Sequence, residues 1–380
     1  MRVLLTGGGT GGHVYPALAI AELIQRNFPG STVAFVGTER GIEYSLATGA
    51  GYDFYPINIQ GIQRSLSPSN IKTAYLVMTS PKKAKKILRE FRPDLVIGTG
   101  GYVCWPLLRA ASSLGIPTMV HESNAKAGLA VRQLQGRVDV ILANFSESEK
   151  KLSRKGKEKL VRVGNPLRTT IGTMTREEAR AKLGISEDEF FLLSFGGSLG
   201  APALNRVAAI LGRSFVPKHE KVRQIHVGGR RNFEDAKKIF ADYGVSETGR
   251  TELRDYLYDM PTYLTAADLV ISRAGAMTLT ELACAKKPAI LIPYPDATDN
   301  HQYENAKVLA DAGAAVLLEE KQITEELVLA TVERLYSHKE ERKAMSVAMA
   351  GCYESEVEAR IHAEIVRLLA KYKEVKTAKD

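Results

Sequence analysis

Four glycine-rich loops, each directly behind a short apolar stretch, constrain this chain more than any other feature. They run Gly7-Gly8-Gly9-Thr10-Gly11-Gly12-His13, Gly98-Thr99-Gly100-Gly101-Tyr102, Gly196-Gly197-Ser198-Leu199-Gly200-Ala201 and Ser272-Arg273-Ala274-Gly275-Ala276. Glycine lets backbone approach a ligand closely, and a helix starting behind it turns amides and dipole towards negative charge. In open α/β sheets, ligands sit where loops leave the carboxyl ends of strands. One such loop says little. Two in each half predict two anion-binding domains.

The rest of the pattern agrees. Short apolar segments predict strands near Val3–Leu5, Val33–Val36, Leu95–Ile97, Thr118–His121, Val140–Ala143 and Val161–Val163. In the second half they predict strands near Phe191–Phe195, Gln224–Val227, Leu269–Ile271, Ala289–Ile292 and Ala315–Leu317. Amphipathic segments such as Pro16–Asn27, Pro106–Leu114, Thr278–Ala285 and His301–Ala312 lie between them. Alternating strands and helices predict parallel sheets covered by helices. A chain of 380 residues is long for one domain. The stretch 164–175, beginning Gly-Asn-Pro-Leu-Arg, reads as a hinge, so the expected domains are 1–164 and 165–352. A final helix, about 353–374, is left free to pack on either.

The N-terminus runs straight into a strand and its glycines, not a signal peptide, which predicts a cytoplasmic protein. Cys104, Cys284 and Cys352 stand far apart, so neither a disulfide framework nor a structural metal is expected. Charge is uneven. Residues 1–164 hold 22 Lys and Arg against 11 Asp and Glu, an excess of +11, whereas the remainder stands at −2. Such a one-sided field predicts an anionic partner. Nucleic acid fits poorly, because no aromatic platform or recognition motif accompanies the charge.

Gly7, Gly9 and Gly12 fit GxGxxG, and Glu39 stands after the second strand, which supports a nicotinamide or flavin enzyme. Against that, the loop ends in His13, the second half carries its own glycine loops, and no hydride-transfer site is evident. Glu281 follows Arg273 by eight residues, so its carboxylate could accept bonds from two ribose hydroxyls while the loop amides hold a diphosphate. The polar stretch 293–302 opens a helix carrying Gln302 and Asn305, whose amides suit neutral sugar hydroxyls. His13, His121 and Glu122 lie at strand ends beside glycine or polar loops, where acid–base groups are expected.

An ordered set of motifs goes further. Gly9-Thr10-Gly11-Gly12-His13-Val14-Tyr15-Pro16, Gly100-Gly101-Tyr102-Val103, His121-Glu122-Ser123-Asn124, Gly164-Asn165-Pro166-Leu167-Arg168, Gly197-Ser198-Leu199-Gly200-Ala201, Arg273-Ala274-Gly275-Ala276-Met277-Thr278 and Asp299-Asn300-His301-Gln302 occur in sequence. In their order and spacing the chain resembles the family 28 glycosyltransferases of the undecaprenyldiphospho-muramoylpentapeptide β-N-acetylglucosaminyltransferase type, over about residues 1–350. The resemblance implies an α/β GT-B fold: two Rossmann-like domains with parallel sheets facing an interdomain cleft. It implies UDP-GlcNAc in the second domain and a lipid-linked MurNAc-pentapeptide acceptor on the first, with no cofactor. Carried over by position, the substrate contacts are Thr10, Gly11, Gly12, Asn124, Arg168, Ser198, the backbone near Leu257, then Ala276, Met277, Thr278, Leu279, Thr280 and Glu281, and finally Gln302. Ser123 and Cys104-Trp105 depart from the family pattern on the acceptor side.

The implied reaction is an inverting transfer of GlcNAc to the muramyl 4-hydroxyl, turning lipid I into lipid II. A general base should take the hydroxyl proton; His13 is the first candidate and Glu122 the second. Helix amides and Arg are expected to hold the diphosphate in place of a divalent ion. The expected location is peripheral, on the cytoplasmic face of the cell membrane, against its anionic inner leaflet. Residues 71–92 carry that expectation. Ile71, Tyr75, Leu76 and Met78 precede Pro81; then six bases meet one acid in 82–92, interleaved with Ile87, Leu88 and Phe91. Such a segment either enters the interface or packs its apolar face on the sheet. Competing activities are a UDP-GlcNAc epimerase, transfer to another lipid, and a non-catalytic UDP-sugar-binding scaffold.

Overall fold

A strand covered on both faces needs apolar side chains at every position, not at alternate ones. β1 (Arg2–Thr6) meets this condition: Val3, Leu4 and Leu5 are all fully buried in the computed structural model. Val3 and Leu5 join one layer with Leu18, Ala21 and Ile24, and Leu4 joins the opposite layer with Leu88, Phe91, Leu107 and Leu108. Fully burying each such side chain contributes ~1.5–3 kcal/mol. The structure describes residues 1–60, 69–167, 171, 173–197, 199–245 and 249–377, excluding the side chains of 69–75, 77 and 376.

The chain divides into two units, one formed by Met1–Arg168 with Glu354–Asp380, the other by Thr169–Tyr353. In the first, β1 is joined by β2 (Thr32–Gly37), β3 (Asp53–Pro56), β4 (Leu95–Gly98), β5 (Thr118–Glu122), β6 (Val140–Ala143) and β7 (Leu160–Arg162). They form one sheet in the order β3-β2-β1-β4-β5-β6-β7, and every pairing is parallel. The second holds β8 (Phe190–Phe195), β9 (Val222–Val227), β10 (Thr251–Arg254), β11 (Leu269–Ser272), β12 (Ala289–Leu291) and β13 (Ala315–Leu317). Their order is β10-β9-β8-β11-β12-β13, again all parallel.

In each sheet the strand order reverses beside the first strand, between β1 and β4 and between β8 and β11. Loops diverge at such a switch point and leave a crevice for a ligand. All four glycine loops follow these four strands. This is the α/β, doubly Rossmann-like architecture expected from the sequence, with two added strands, β3 and β10.

Helix α1 (Gly11–Asn27) starts five residues before the predicted Pro16, so Gly11 and Gly12 form its first turn and Pro16 lies inside it. α2 (Ile42–Gly49) follows β2, α3 (Ser69–Phe91) precedes β4, and α4 (Cys104–Ser113) follows it. In α3, Ala84, Ile87, Leu88 and Phe91 are buried in the sheet's second layer. Of the two readings left open for this segment, packing on the sheet is the one observed: Ile87, Leu88 and Phe91 are core residues. Lys82, Lys83, Lys86 and Arg89 remain exposed on the other face, and Met78 is 79% exposed. The side chains of Ile71 and Tyr75 lie outside the described residues. Among the described residues, no helix is long and apolar enough to cross a membrane.

The last helix, Val357–Thr377, returns to the first unit. Ile361, Ile365 and Leu368 enter the layer of α1, Glu358 pairs with Arg26 at 2.6 Å, and the Tyr372 hydroxyl donates to Asp139 at 3.1 Å.

Candidate active site

In the first unit, the two glycine loops are built into each other. Thr10 is extended (φ −145°, ψ 157°) and precedes α1 without a capping side-chain bond. The Gly11 and Gly12 amides open the helix and have no intrahelical carbonyl to bond. The Thr99 hydroxyl donates to the His13 carbonyl at 2.6 Å, locking the second loop beneath the first helical turn. The His13 ring lies on Gly100, where an added Cβ would stand 2.5 Å from Cδ2. Gly100 has φ +109° and Gly101 φ +82°, so geometry and space both demand glycine there. His13 Nδ1 lies 3.0 Å from the Gly8 carbonyl and 3.4 Å from the Thr10 hydroxyl.

Cys104 supports the second loop from below, its thiol donating to Gly100 O at 2.8 Å and contacting Thr6 O at 3.1 Å. Burial pushes the thiol up to about 12, so it remains protonated and unreactive. This departure from the family pattern is a core residue.

The β5 candidates are more engaged than expected. His121 is fully buried and bonds the Gly164 carbonyl through Nε2 at 2.9 Å. Desolvation lowers its pKa to about 4, so it is a neutral donor holding the backbone. Glu122 is 5% exposed and accepts from Asn124 N at 2.9 Å, Asn124 Nδ2 at 3.1 Å and Gly128 N at 2.7 Å. Burial raises its pKa despite these donors. Both carboxylate oxygens are thus occupied in shaping the loop that carries Asn124. Ser123 is buried, with its hydroxyl 3.4 Å from His121 Nδ1.

Glu43 belongs to none of the sequence motifs. It is 1% exposed and accepts from Gly9 N at 3.2 Å, Thr38 N at 3.0 Å and the Thr38 hydroxyl at 2.6 Å. An acid on the same helix face as Ala47 was the available signal. Glu39, the acid that supported a nicotinamide or flavin reading, is exposed.

In the second unit, the third loop packs against a glycine turn behind β9. A Cβ on Gly200 would lie 1.8 Å from the Gly228 carbonyl oxygen. The fourth loop leads into the helix Ala276–Cys284, whose N-cap, Gly275, brings no side chain to cover the first turn. Arg273 is consumed internally: it donates to the Ile292 and Pro293 carbonyls at 3.1 and 3.0 Å and pairs with Glu320 at 2.7 Å. Asn305 is fully buried and holds the Ala274 carbonyl at 3.2 Å.

Within Ala276–Glu281 the side chains divide. Leu279 is core, and the buried Thr280 hydroxyl bonds the Ala276 carbonyl at 2.9 Å, so these two have only backbone to offer. Met277, Thr278 and Glu281 are partly exposed. No hydrogen bond or ion pair joins the Glu281 carboxylate to a described residue, and desolvation raises it to about 7. Leu257 is 7% exposed and is likewise limited to backbone contact. Gln302 Oε1 accepts from Tyr294 N at 2.9 Å, which orients its Nε2 for donation. Just before its helix, Asp299 (φ 53°) and Asn300 (φ 57°) are both left-handed, costing of order 1–3 kcal/mol each. Arg168 and Ser198 lie outside the described residues.

Residues 3–142 match the N-terminal domain, and residues 191–362 the C-terminal domain, of glycosyltransferase family 28. A protein of Desulforamulus reducens named UDP-N-acetylglucosamine–N-acetylmuramyl-(pentapeptide) pyrophosphoryl-undecaprenol N-acetylglucosamine transferase is 38% identical, over 91% of this chain and 93% of its own length. A Bacillus subtilis protein of the same name is 35% identical, over 97% and 99%. The crystal structure of Acinetobacter baumannii MurG superposes with a TM-score of 0.75 at 29% identity, covering 96% of this chain and 99% of that one. A UDP-GlcNAc 2-epimerase from Neisseria meningitidis, with a TM-score of 0.66 at 16% identity, covers 97% of this chain and all of its own; it shares the fold alone.

Proposed function

The chain belongs to glycosyltransferase family 28, and on that premise we propose that it transfers N-acetylglucosamine from UDP-GlcNAc to the muramyl 4-hydroxyl of undecaprenyl-pyrophosphoryl-MurNAc-pentapeptide. The observation that carries this reading is Glu281, a desolvated carboxylate without a partner among the described residues, on the helix behind the fourth glycine loop. Two ribose hydroxyls satisfy such a group, while the Ala276, Met277 and Thr278 amides at the helix start meet the diphosphate. Gln302 addresses the sugar hydroxyls, the Leu257 backbone and Ser198 complete the second unit's donor contacts, and Arg168, which belongs to the first unit, adds one more. Thr10, Gly11, Gly12 and Asn124 are the first unit's contribution, with Glu122 holding Asn124 in place.

In the transfer, the muramyl oxygen attacks the anomeric carbon from the face opposite UDP. The bond from that carbon to the diphosphate oxygen breaks, and its electron pair leaves with UDP. Negative charge grows on the diphosphate, where amides fixed before the reaction stabilise it without reorganising. The hydroxyl proton passes to His13. His13 outranks Glu122 as base because both Glu122 oxygens already bind loop amides.

The acceptor's lipid requires a membrane surface. The exposed lysines of α3, together with Met78, are the proposed contact with anionic headgroups on the cytoplasmic face. The test is incubation with labelled UDP-GlcNAc and the lipid-linked acceptor, with UDP-GalNAc as control. Label should enter the lipid fraction from UDP-GlcNAc with a β link; label remaining water-soluble contradicts the proposal.

A further inference from the structure

The Gly8–Gly9 peptide group is bonded on both sides by ionisable side chains. Its carbonyl oxygen lies 3.0 Å from His13 Nδ1, and its N–H donates to Glu43 Oε2 at 3.2 Å. A carbonyl can only accept, so Nδ1 carries a proton, and in the neutral ring Nε2 carries the lone pair. We propose that Glu43 is the positioning acid of His13, acting through this one peptide group. It rests on the reading of His13 as the base.

The physical link is the polarisability of the amide. Charge at the N–H favours the resonance form with negative charge on oxygen, which strengthens the bond that oxygen accepts. The Gly8 carbonyl then fixes the imidazole tautomer and stabilises the imidazolium formed when Nε2 takes the hydroxyl proton. A carboxylate bonded directly to a histidine does the same in hydrolase triads; here a peptide group stands between them. No covalent bond changes in this relay, and the proton stays on the imidazole until UDP has left.

The site around Glu43 is built for this. Oε1 is anchored by the amide and hydroxyl of Thr38, leaving Oε2 for Gly9. Glycines from three separate positions enclose the carboxylate. A Cβ would meet Glu43 atoms at 2.7 Å from Gly8, 2.7 Å from Gly37 and 2.2 Å from Gly41. A simple staple for the loop would need only one of these bonds and no such enclosure. Among the described residues, other titratable groups facing this assembly include Tyr102 against Gly9, Tyr15 against Gly11 and the Cys104 thiol beneath Gly100.

The experiment labels the histidine rings with nitrogen-15 in the full-length protein and follows His13 by NMR, alongside kcat against pH. In the wild type, neutral His13 should show a protonated Nδ1 and a lone pair on Nε2. Glu43→Gln preserves shape and removes charge. It should lower the midpoint of the His13 titration by about half to one pH unit, shift the acidic limb of kcat equally, and leave KM for UDP-GlcNAc unchanged. Glu43→Asp, which withdraws the carboxylate but keeps its charge, should fall between the two and serves where Glu43→Gln does not fold. An unchanged His13 tautomer and midpoint in either variant overturns the proposal. Normal turnover in His13→Ala would instead remove His13 as the base, while the NMR readout still judges its link to Glu43.

Discussion

Each unit carries a buried or half-buried glutamate next to a glycine loop, and the two are used in opposite ways. Glu43 in the first unit has three donors from its own chain and lies within a cage of glycines. Glu281 in the second has no bonding partner among the described residues and is raised to about 7 by desolvation. An uncompensated carboxylate is costly in a folded protein and is retained where a ligand supplies the missing donors. A satisfied one stabilises the backbone around it. A glutamate beside a glycine loop is thus bonded into the backbone frame around His13 in one half, and in the other has no bonding partner among the described residues, where the proposed function places ribose.

The largest effect expected from breaking this division is His13→Ala, which should lower kcat by ~10²–10⁴-fold, measured by label transfer at saturating donor. A near-normal kcat would leave the first unit with a framed histidine and no chemistry for it. Next is Glu281→Ala, which removes two charge-assisted hydrogen bonds. Taking ~1.5–3 kcal/mol for each, with part recovered by water, KM for UDP-GlcNAc should rise ~10–100-fold while kcat changes little. A kcat defect at unchanged KM would move Glu281 out of the donor site.

Smaller is the joint substitution of Lys83 and Lys86 by Ala. At ~1 kcal/mol per base, binding to anionic vesicles should weaken ~30-fold at low salt and much less at high salt. Affinity that ignores both the substitution and the salt would refute lipid contact by this face of α3. The smallest effect concerns stability. Glu281 is ordinarily near 4.5 and is raised to about 7 in the folded state. The folded state therefore binds the extra proton, and this stabilising contribution is present below about 4.5 and lost as pH rises through about 7. Unfolding midpoints for Glu281→Gln should lack that decline, and bound UDP should remove it in the wild type.

Much of the fold was legible because buried parallel strands have continuous apolar sequence. Eleven predicted strands correspond to strands of the two sheets. β3 and β10 escaped notice for one shared reason: each is the edge strand beyond the second strand of its sheet. Their sequences, Asp-Phe-Tyr-Pro and Thr-Glu-Leu-Arg, mix polar with apolar residues because an edge is only partly covered. The start of α1 was misplaced because Gly11 and Gly12 are poor helix formers locally, although the turn they form is held by Thr99 from a distant loop.

Site residues were legible where a motif marks backbone geometry, as in the glycine loops. They were not where function depends on which hydrogen bonds are already taken. His121, Glu122 and Glu281 all look like candidates in one dimension. Only the fold reveals that the first two are satisfied within their own unit and that the third has no bonding partner among the described residues. Glu43 was hidden because its partners, Gly9 and Thr38, come from two different loops. The apolar face of α3 was ambiguous between lipid and sheet until Ile87, Leu88 and Phe91 were found in the core.

The division of labour between the units is tested most directly by calorimetric titration of UDP into the wild type, His13→Ala and Glu281→Ala. The account predicts that His13→Ala binds UDP as the wild type does, and that Glu281→Ala binds it at least ~10-fold more weakly. Equal binding by Glu281→Ala, with a loss confined to His13→Ala, would contradict it.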